Sequence, residues 1–383
     1  MSAAEMSEER LSVKIIEDAA AFAGLETPWR ALDELPGVHP FQQFGWVSGW
    51  LNTLGSACER ELRVATLWRG ERLAAVLPLY VRRYRGVRIL EWMGARVADY
   101  CDALVDPRLA LVDPRLDDKT ALSTLWQALE RQGGFDLARF NHVREDAHVF
   151  SALEERRPWT ETLEHAGGVP IRWSSGEQWL QEQSASMRDR VKYNARRMAK
   201  AGYDVHVWEP PDAYAPIIDA LVAQKRPWLA ARGLSSMICE PEGVQFLHAA
   251  VAESARRGEL HLSVVRNSDR IAACDLAFVR NGVIYSYLGS FDPDLAKYSF
   301  GRVLMDRLVM WACDNGMRRY DLLLGAYGYK SEYGCALEPV RTQVIARSLI
   351  GRAALALYRR RSERARVSST GVSLEKNPGR GAV

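Results

Sequence analysis

Apolar and polar positions are patterned most clearly in the second half of the chain. Leu260–Arg266 alternates as a strand, residues 267–270 read as a turn, and Ile271–Arg280 is a second, nearly continuous apolar run. Asn281-Gly282 is a hairpin signal, because a type I′ turn needs positive φ at both central positions. A third strand therefore follows over 283–290, with Tyr285, Tyr287 and Gly289 on one face. The spacing of Leu304, Leu308, Trp311 and Ala312 predicts a helix over 299–315, stopped by Gly316. Next come a short apolar strand over 320–324, a glycine- and tyrosine-rich loop, a strand over 340–348 and a helix over 349–366.

The first half reads as strands over 61–68, 73–80 and 87–93, then a helix over 119–132 with Leu122, Leu125, Trp126 and Leu129 on its apolar side. Gly133-Gly134 ends that helix, and a strand follows over 135–140. The sequence ALVDPRL occurs twice in succession, at 103–109 and 110–116; proline excludes a heptad helix, so it reads as a strand end with two Asp-Pro turns. Trp46 and Trp50, four apart on a helix, read as core. A further helix over 187–201 carries Met187, Val191, Ala195 and Met198 on one side, and Arg188, Arg190, Lys192, Arg196, Arg197 and Lys200 on the others. Ser186 and Asp189 read as its capping box. Alternating strands and helices make the chain α/β with mixed sheets. The pattern loosens around Gly167, Gly168 and Pro170, which divides the chain into domains over 1–165 and 166–350, with a basic helix and disordered tail over 351–383.

A length of 383 residues fits two domains. The net charge of +3 does not make a nucleic-acid binder, and DNA is not expected as a partner. The cysteines, Cys58, Cys101, Cys239, Cys274, Cys313 and Cys335, form no CxxC pair, and the histidines are scattered, so neither a metal site nor a disulfide framework is expected. The polar start MSAAEMSEER is unlike a signal peptide, and no apolar run is long enough to span a bilayer. A cytoplasmic protein with at most peripheral membrane contact is expected, through Arg359, Arg360 and Arg361 beside Leu355 and Leu357.

The segments IAACDLAFVRNGVIYSYLGSFDP, YSFGRVLMDRL and NGMRRYDLLLGAYGYK resemble the tandem-GNAT acyltransferases grouped with CelD and the BioF-like acetyltransferase domains, distant relatives of the FemAB peptidoglycan aminoacyl ligases. SMRDRVKYNARRMAKAGYDV is similar to the opening of that family's C-terminal domain, and FQQFGWVSGWLNTLG and ADYCDALVDP to its first domain. The resemblance implies two tandem GNAT-like (acyl-CoA N-acyltransferase) domains with an interdomain cleft. It also implies an acyl thioester, acyl-CoA or acyl carrier protein, as co-substrate, with no tightly bound cofactor. The acceptor would be an amino group on a sugar, polysaccharide precursor or small metabolite. The rivals are aminoacyl transfer from tRNA and a non-catalytic role in polysaccharide biosynthesis. The tRNA reading ranks lower because the chain has no coiled-coil insertion.

Acyl transfer to an amine needs a base, a stabilised oxyanion and a grip on the donor. The grip falls to Ser299, Phe300, Gly301 and Arg302 at a helix start, where backbone N–H groups can hold a phosphate, and to Gly289 on the third strand. A simple cap and a solvated arginine are the alternative. Tyr287 could bind substrate or protonate the leaving group, or be an aromatic core residue like Tyr285. Asp275, a carboxylate between Ala273 and Ala277, is a reserve general base or half of an ion pair. Lys330 follows Tyr329, and the FemAB resemblance puts such a lysine beside the acyl group, on an oxyanion or a phosphate; a surface lysine is the plain reading. Tyr327 and Tyr329 are placed on substrate with it. From the first domain, Asp99, Tyr100 and Asp102 are candidates for acceptor binding, with a turn-forming role the rival for Asp102. The basic helix could guide an anionic donor, meet tRNA phosphates, or be a solvated face.

Overall fold

A computed structural model describes residues 11–55, 60–112, 117–325 and 328–369. The chain forms two units: one holds residues up to 164 together with 339–369, the other residues 165–338. The amino-terminal unit begins with β1 (Leu11–Ile16), α1 (Ala19–Ala23), α2 (Glu26–Asp33) and α3 (Phe44–Asn52). It continues through β2 (Arg60–Leu62), β3 (Val64–Arg69), β4 (Arg72–Leu77), β5 (Leu79–Tyr84), β6 (Val87–Trp92) and β7 (Leu104–Val105). Then follow α4 (Leu109–Val112), α5 (Asp118–Gln132), β8 (Leu137–Arg144), α6 (His148–Glu154) and β9 (Trp159–Pro170), along which the chain passes into the second unit.

That unit contains α7 (Gly176–Glu182), α8 (Ala185–Lys200), β10 (Asp204–Val207), α9 (Ala215–Ala230), α10 (Pro241–Arg256), β11 (Leu260–Arg266), β12 (Ile271–Arg280), β13 (Val283–Phe291), α11 (Phe300–Asp314), β14 (Arg319–Leu324) and α12 (Gly328–Glu332). The chain returns along β15 (Ala336–Ala346) and ends in α13 (Leu349–Ser369). Both units follow one plan: a strand, helices, an antiparallel hairpin, a helix, a strand, a short helix and a last strand. The last strands are traded. Residues of β9 ladder antiparallel to β14 in the second unit, and β15 ladders antiparallel to β8 in the first.

In the first unit, β1-β3-β4-β7 form a small sheet on which α5 packs, its N-terminus capped by Asp117 accepting from the Thr120 N–H. A second layer runs β15-β8-β6-β5-β2. The run expected as one strand over 61–68 is two strands in different sheets, because the chain leaves β2 at Arg63, whose N–H reaches the Leu79 carbonyl. Pro78 likewise splits the expected strand over 73–80, since proline cannot donate to a ladder. The two copies of ALV differ: Leu104–Val105 is strand, whereas Leu109–Val112 is a helical turn. The second Asp-Pro lies outside the described residues. Trp46 and Trp50 are core, at 4% and 2% exposure.

The second unit is a β10-β11-β12-β13-β14-β9 sheet with α9 and α10 on one face and α11 on the other. α8 starts two residues earlier than expected, capped by Ser184, whose Oγ accepts from the Met187 N–H. Trp179, Leu308, Val309, Tyr320 and Ala277 form the core beneath α11. Fully burying a large apolar side chain contributes about 1.5–3 kcal/mol.

Candidate active site

β13 ladders with β12 along its length, but with β14 only where Val283–Tyr285 faces Arg319–Asp321. From Ser286 onward β14 leaves it. The cause is local to β14. Leu323 has φ +55, a left-handed conformation costing a bulky residue roughly 1–3 kcal/mol. Its N–H donates to Asp321 Oδ1 at 2.8 Å, and Lys330 Nζ donates to the carbonyls of Leu322, Leu323 and Leu324 at 2.8, 2.9 and 2.9 Å. An ammonium has three N–H groups, and here all three are engaged. Lys330 is 1% exposed. Lys330 is therefore not a surface residue: where an oxyanion or a phosphate was expected, its ammonium meets three β14 carbonyls and straps the bend of that strand.

β13 carries a bulge. Leu288 faces Leu276 and Ser286 faces Ala277, so Tyr287 is the extra residue. Tyr285 faces Phe278 and Gly289 faces Asp275, adjacent-parity positions that point to opposite sides of β12. Tyr285, Tyr287 and Gly289 therefore do not share one face, because the bulge breaks the alternation. The Tyr287 ring packs on Phe278 at 5.5 Å between centroids.

Asp275 is buried on the α11 side, between Ala273 and Ala277 as its position implied. Burial pushes its carboxyl up to about 7, against the opposing pull of Lys225 and a hydrogen bond from Ser286. Its Oδ1 accepts no hydrogen bond among the described residues. Gly289 leaves a notch over it: a methyl group there would sit 3.7 Å from Asp275 Oδ2.

Lys225 escaped the sequence reading. It lies on α9, 7% exposed, and its Nζ donates to the Gly289 carbonyl at 2.9 Å and stands 5.3 Å from the Trp228 ring. Burial lowers its ammonium to about 8. A signal was present, since Ile218, Leu221, Val222, Lys225 and Leu229 fall on one helical stripe and all are buried.

At the start of α11, Ser299 is left-handed at φ +57, and its side chain makes no cap. Its carbonyl instead accepts from the N–H groups of Arg302 and Val303 at 3.0 and 3.3 Å. Gly301 is open, with nothing within 4 Å of where a Cβ would stand. The Phe300 ring is core, stacked on Tyr298 at 5.2 Å, so only its backbone can serve a ligand. Arg302 does not bring free charge to the helix start, because it makes a two-pronged salt bridge to Glu332 at 2.6 and 2.7 Å. Next to it, Tyr333 donates to Asp306 Oδ1 at 2.6 Å and Arg190 reaches both Asp306 oxygens at 3.1 Å. Lys330, Glu332 and Tyr333 thus fasten the segment after β14 at three points. The backbone of Tyr329 lies in α12; its side chain and Tyr327 lie outside the described residues.

Asp99, Tyr100 and Asp102 lie in the other unit. Asp102 caps α6, accepting from the N–H groups of His148 and Val149 at 2.9 and 3.0 Å and from Ala103 at 2.7 Å. Its turn-and-cap role therefore engages both oxygens. Tyr100 is 2% exposed, edge-on to His39 and Phe41, with the Arg144 guanidinium 4.8 Å from its ring; Asp99 is buried. Among the described residues no cluster of His, Cys, Asp or Glu could hold a metal ion, and no helix is long and apolar enough to cross a membrane.

Residues 185–331 match the family described as acetyltransferase (GNAT) domain. No curated protein matches. Among solved structures, FemX is similar over 86% of this chain and 96% of its own at a TM-score of 0.56 and 9% identity. The C-terminal domain (DUF2156) of a protein described as a lysylphosphatidylglycerol synthetase from Agrobacterium fabrum is similar over 88% and 95% at 0.53 and 13%. L-PGS from Bacillus licheniformis is similar over 87% and 95% at 0.53 and 12%. At such identities the likeness is one of fold. The mixed α/β architecture is of the GNAT type, and the domain match over 185–331 makes the chain an acyltransferase by class.

Proposed function

We propose that the second unit transfers an acyl group from an acyl thioester, acyl-CoA or acyl carrier protein, to an amino group of a sugar, polysaccharide precursor or small metabolite, as in the CelD and BioF-like group. The parting of β13 and β14 after Tyr285 carries this reading. It frees one strand edge to hydrogen-bond an extended pantetheine arm. At the end of that edge stands the start of α11, whose open Gly301 suits a phosphate. Asp275, its carboxyl near 7, is the base for the incoming amine, and Tyr287, the bulged residue of β13, is the acid for the leaving sulfur. Calorimetric titration of the full chain with coenzyme A tests the donor class. Binding at one site, weakened by Gly301→Glu, is expected; no binding would sink it.

Aminoacyl transfer from tRNA is the second reading. The likeness to FemX and the cationic exposed face of α8, with Lys192, Arg196 and Lys200 around a Tyr193 that is 61% exposed, favour it. An activity that survives nuclease and runs on acyl-CoA alone would exclude it. A non-catalytic role predicts that no donor of either kind binds.

A further inference from the structure

We propose that Lys225 is a catalytic residue of this site, holding the acyl oxygen of the donor as that oxygen becomes negative. The inference rests on the thioester reading above and adds a residue that neither the resemblance nor the domain match assigns.

The argument begins with position. The Gly289 carbonyl belongs to β13 beyond Tyr285, where β14 has departed, and Lys225 Nζ takes it from the α9 side. The ammonium takes one of the two lone pairs of that carbonyl, which brings Nζ to the strand edge along which the arm would lie. The second observation is the hydrogen-bond state of the ammonium. Gly289 is its single hydrogen-bond partner among the described residues, leaving further N–H groups on a buried cation. Contrast Lys330, also buried, with three carbonyls for three N–H groups. A buried ammonium is costly unless its protons are used. An oxyanion supplies the missing acceptor, and does so only in the tetrahedral intermediate.

The other polar groups around Lys225 do not take this role. Gln224 beside it donates to the Ile271 carbonyl and accepts from Ser290 Oγ. Arg226 puts Nε and Nη2 on the Cys239 carbonyl. The Cys239 thiol is pushed up by burial, and Asp275 is the nearby carboxyl on β12.

The step balances as follows. The amine nitrogen forms a bond to the acyl carbon, and the carbonyl π pair moves onto oxygen, which accepts from Lys225 Nζ. The nitrogen's surplus proton passes to Asp275. When the oxyanion collapses the carbon–sulfur bond breaks, and the thiolate leaves with a proton from Tyr287 or water. Thioester plus amine gives amide plus thiol, with no other reactant.

Two stable thioethers of coenzyme A test this without knowledge of the acceptor. Carboxymethyl-coenzyme A places an anion one bond beyond the acyl oxygen's position, within reach of the same donor, and ethyl-coenzyme A carries none. Calorimetric titration of the full chain is expected to favour the carboxymethyl compound by about tenfold at pH 7, the strength of one charged hydrogen bond. The preference should fade by pH 9 as the ammonium, held near 8, loses its proton. Repeating the pH comparison in Asp275→Asn removes the one nearby carboxyl whose charge also changes. Lys225→Met should show no preference between the two compounds at either pH. Equal binding of both compounds by the parent, or a preference independent of pH, overturns the role of Lys225, and neither result depends on the variant folding. Failure of both compounds to bind the parent overturns the thioester reading itself, and this inference with it.

Discussion

Lys330 Nζ lies 2.9 Å from the carbonyl of Leu323, the residue of β14 that turns left-handed. The lysine and the kink belong together: three converging carbonyls make a place for a cation, and the cation keeps the strand bent. Lys330→Met would leave those carbonyls buried without their partner. A loss of about 3–5 kcal/mol is expected in chemical denaturation, well above an exposed lysine's contribution. A loss below about 1 kcal/mol would mean that the ammonium does not hold the kink.

Arg302 and Glu332 join the α11 start to α12 by a partly exposed pair, so a modest coupling is expected. A double-mutant cycle of Arg302→Gln and Glu332→Gln should return about 0.5–1 kcal/mol. Glu332→Gln also releases the guanidinium beside the helix start, and coenzyme A should bind that variant several-fold more tightly, by roughly the worth of one exposed charge contact.

Asp275 makes stability fall with rising pH. Its native carboxyl titrates near 7 against an ordinary 3.8, so the folded state binds the extra proton throughout that interval. Its contribution is present below about 4 and is lost as pH climbs to 7. Asp275→Asn removes this dependence. Relative to the parent it should gain at least about 1 kcal/mol between pH 4.5 and 7.5, read from denaturant midpoints. A constant difference between the two proteins across that range would contradict the buried carboxyl.

Asp136 has the opposite sign. Its carboxylate accepts from the Arg88 N–H at 2.9 Å, from the Arg88 side chain at 3.2 Å and from Ser348 Oγ at 2.9 Å, and these contacts hold it down at about 2. Its stabilisation is therefore present above about 4 and lost as pH falls to 2. Asp136→Ala should cost about 2–4 kcal/mol at pH 7 and much less at pH 2.

The hairpin of β11, β12 and β13 was legible because alternation and Asn281-Gly282 agree. Both β11 and β12 have the bounds that the pattern predicts. The α/β class and the α11–β14 succession were legible for the same reason. The bulge at Tyr287 was not, since one extra residue leaves no mark in an apolar run. Nor were α9 and α10 read, though the apolar stripe of α9 is broken only by Pro227 and by Gln224 and Lys225 on its buried side. A lysine on an apolar stripe looks like an error of period until its carbonyl is seen. Lys330 misled in the reverse way. Glycines and tyrosines around it suggested an exposed loop, and only the backbone turn at Leu323 explains why a charge goes inside.

The traded last strands bear on how the protein is made. β8 has β6 on one side and needs β15 on the other, and Ser348 reaches Asp136 across 212 residues of sequence. A ribosome must therefore pass β15 (Ala336–Ala346) before the amino-terminal sheet can close. Until then β8 is a bare edge, ready to pair with any strand that passes. Synthesis order does not let the first unit finish first, because its last strand is made after the second unit. Nascent chains stalled before β15 should thus be the aggregation-prone species.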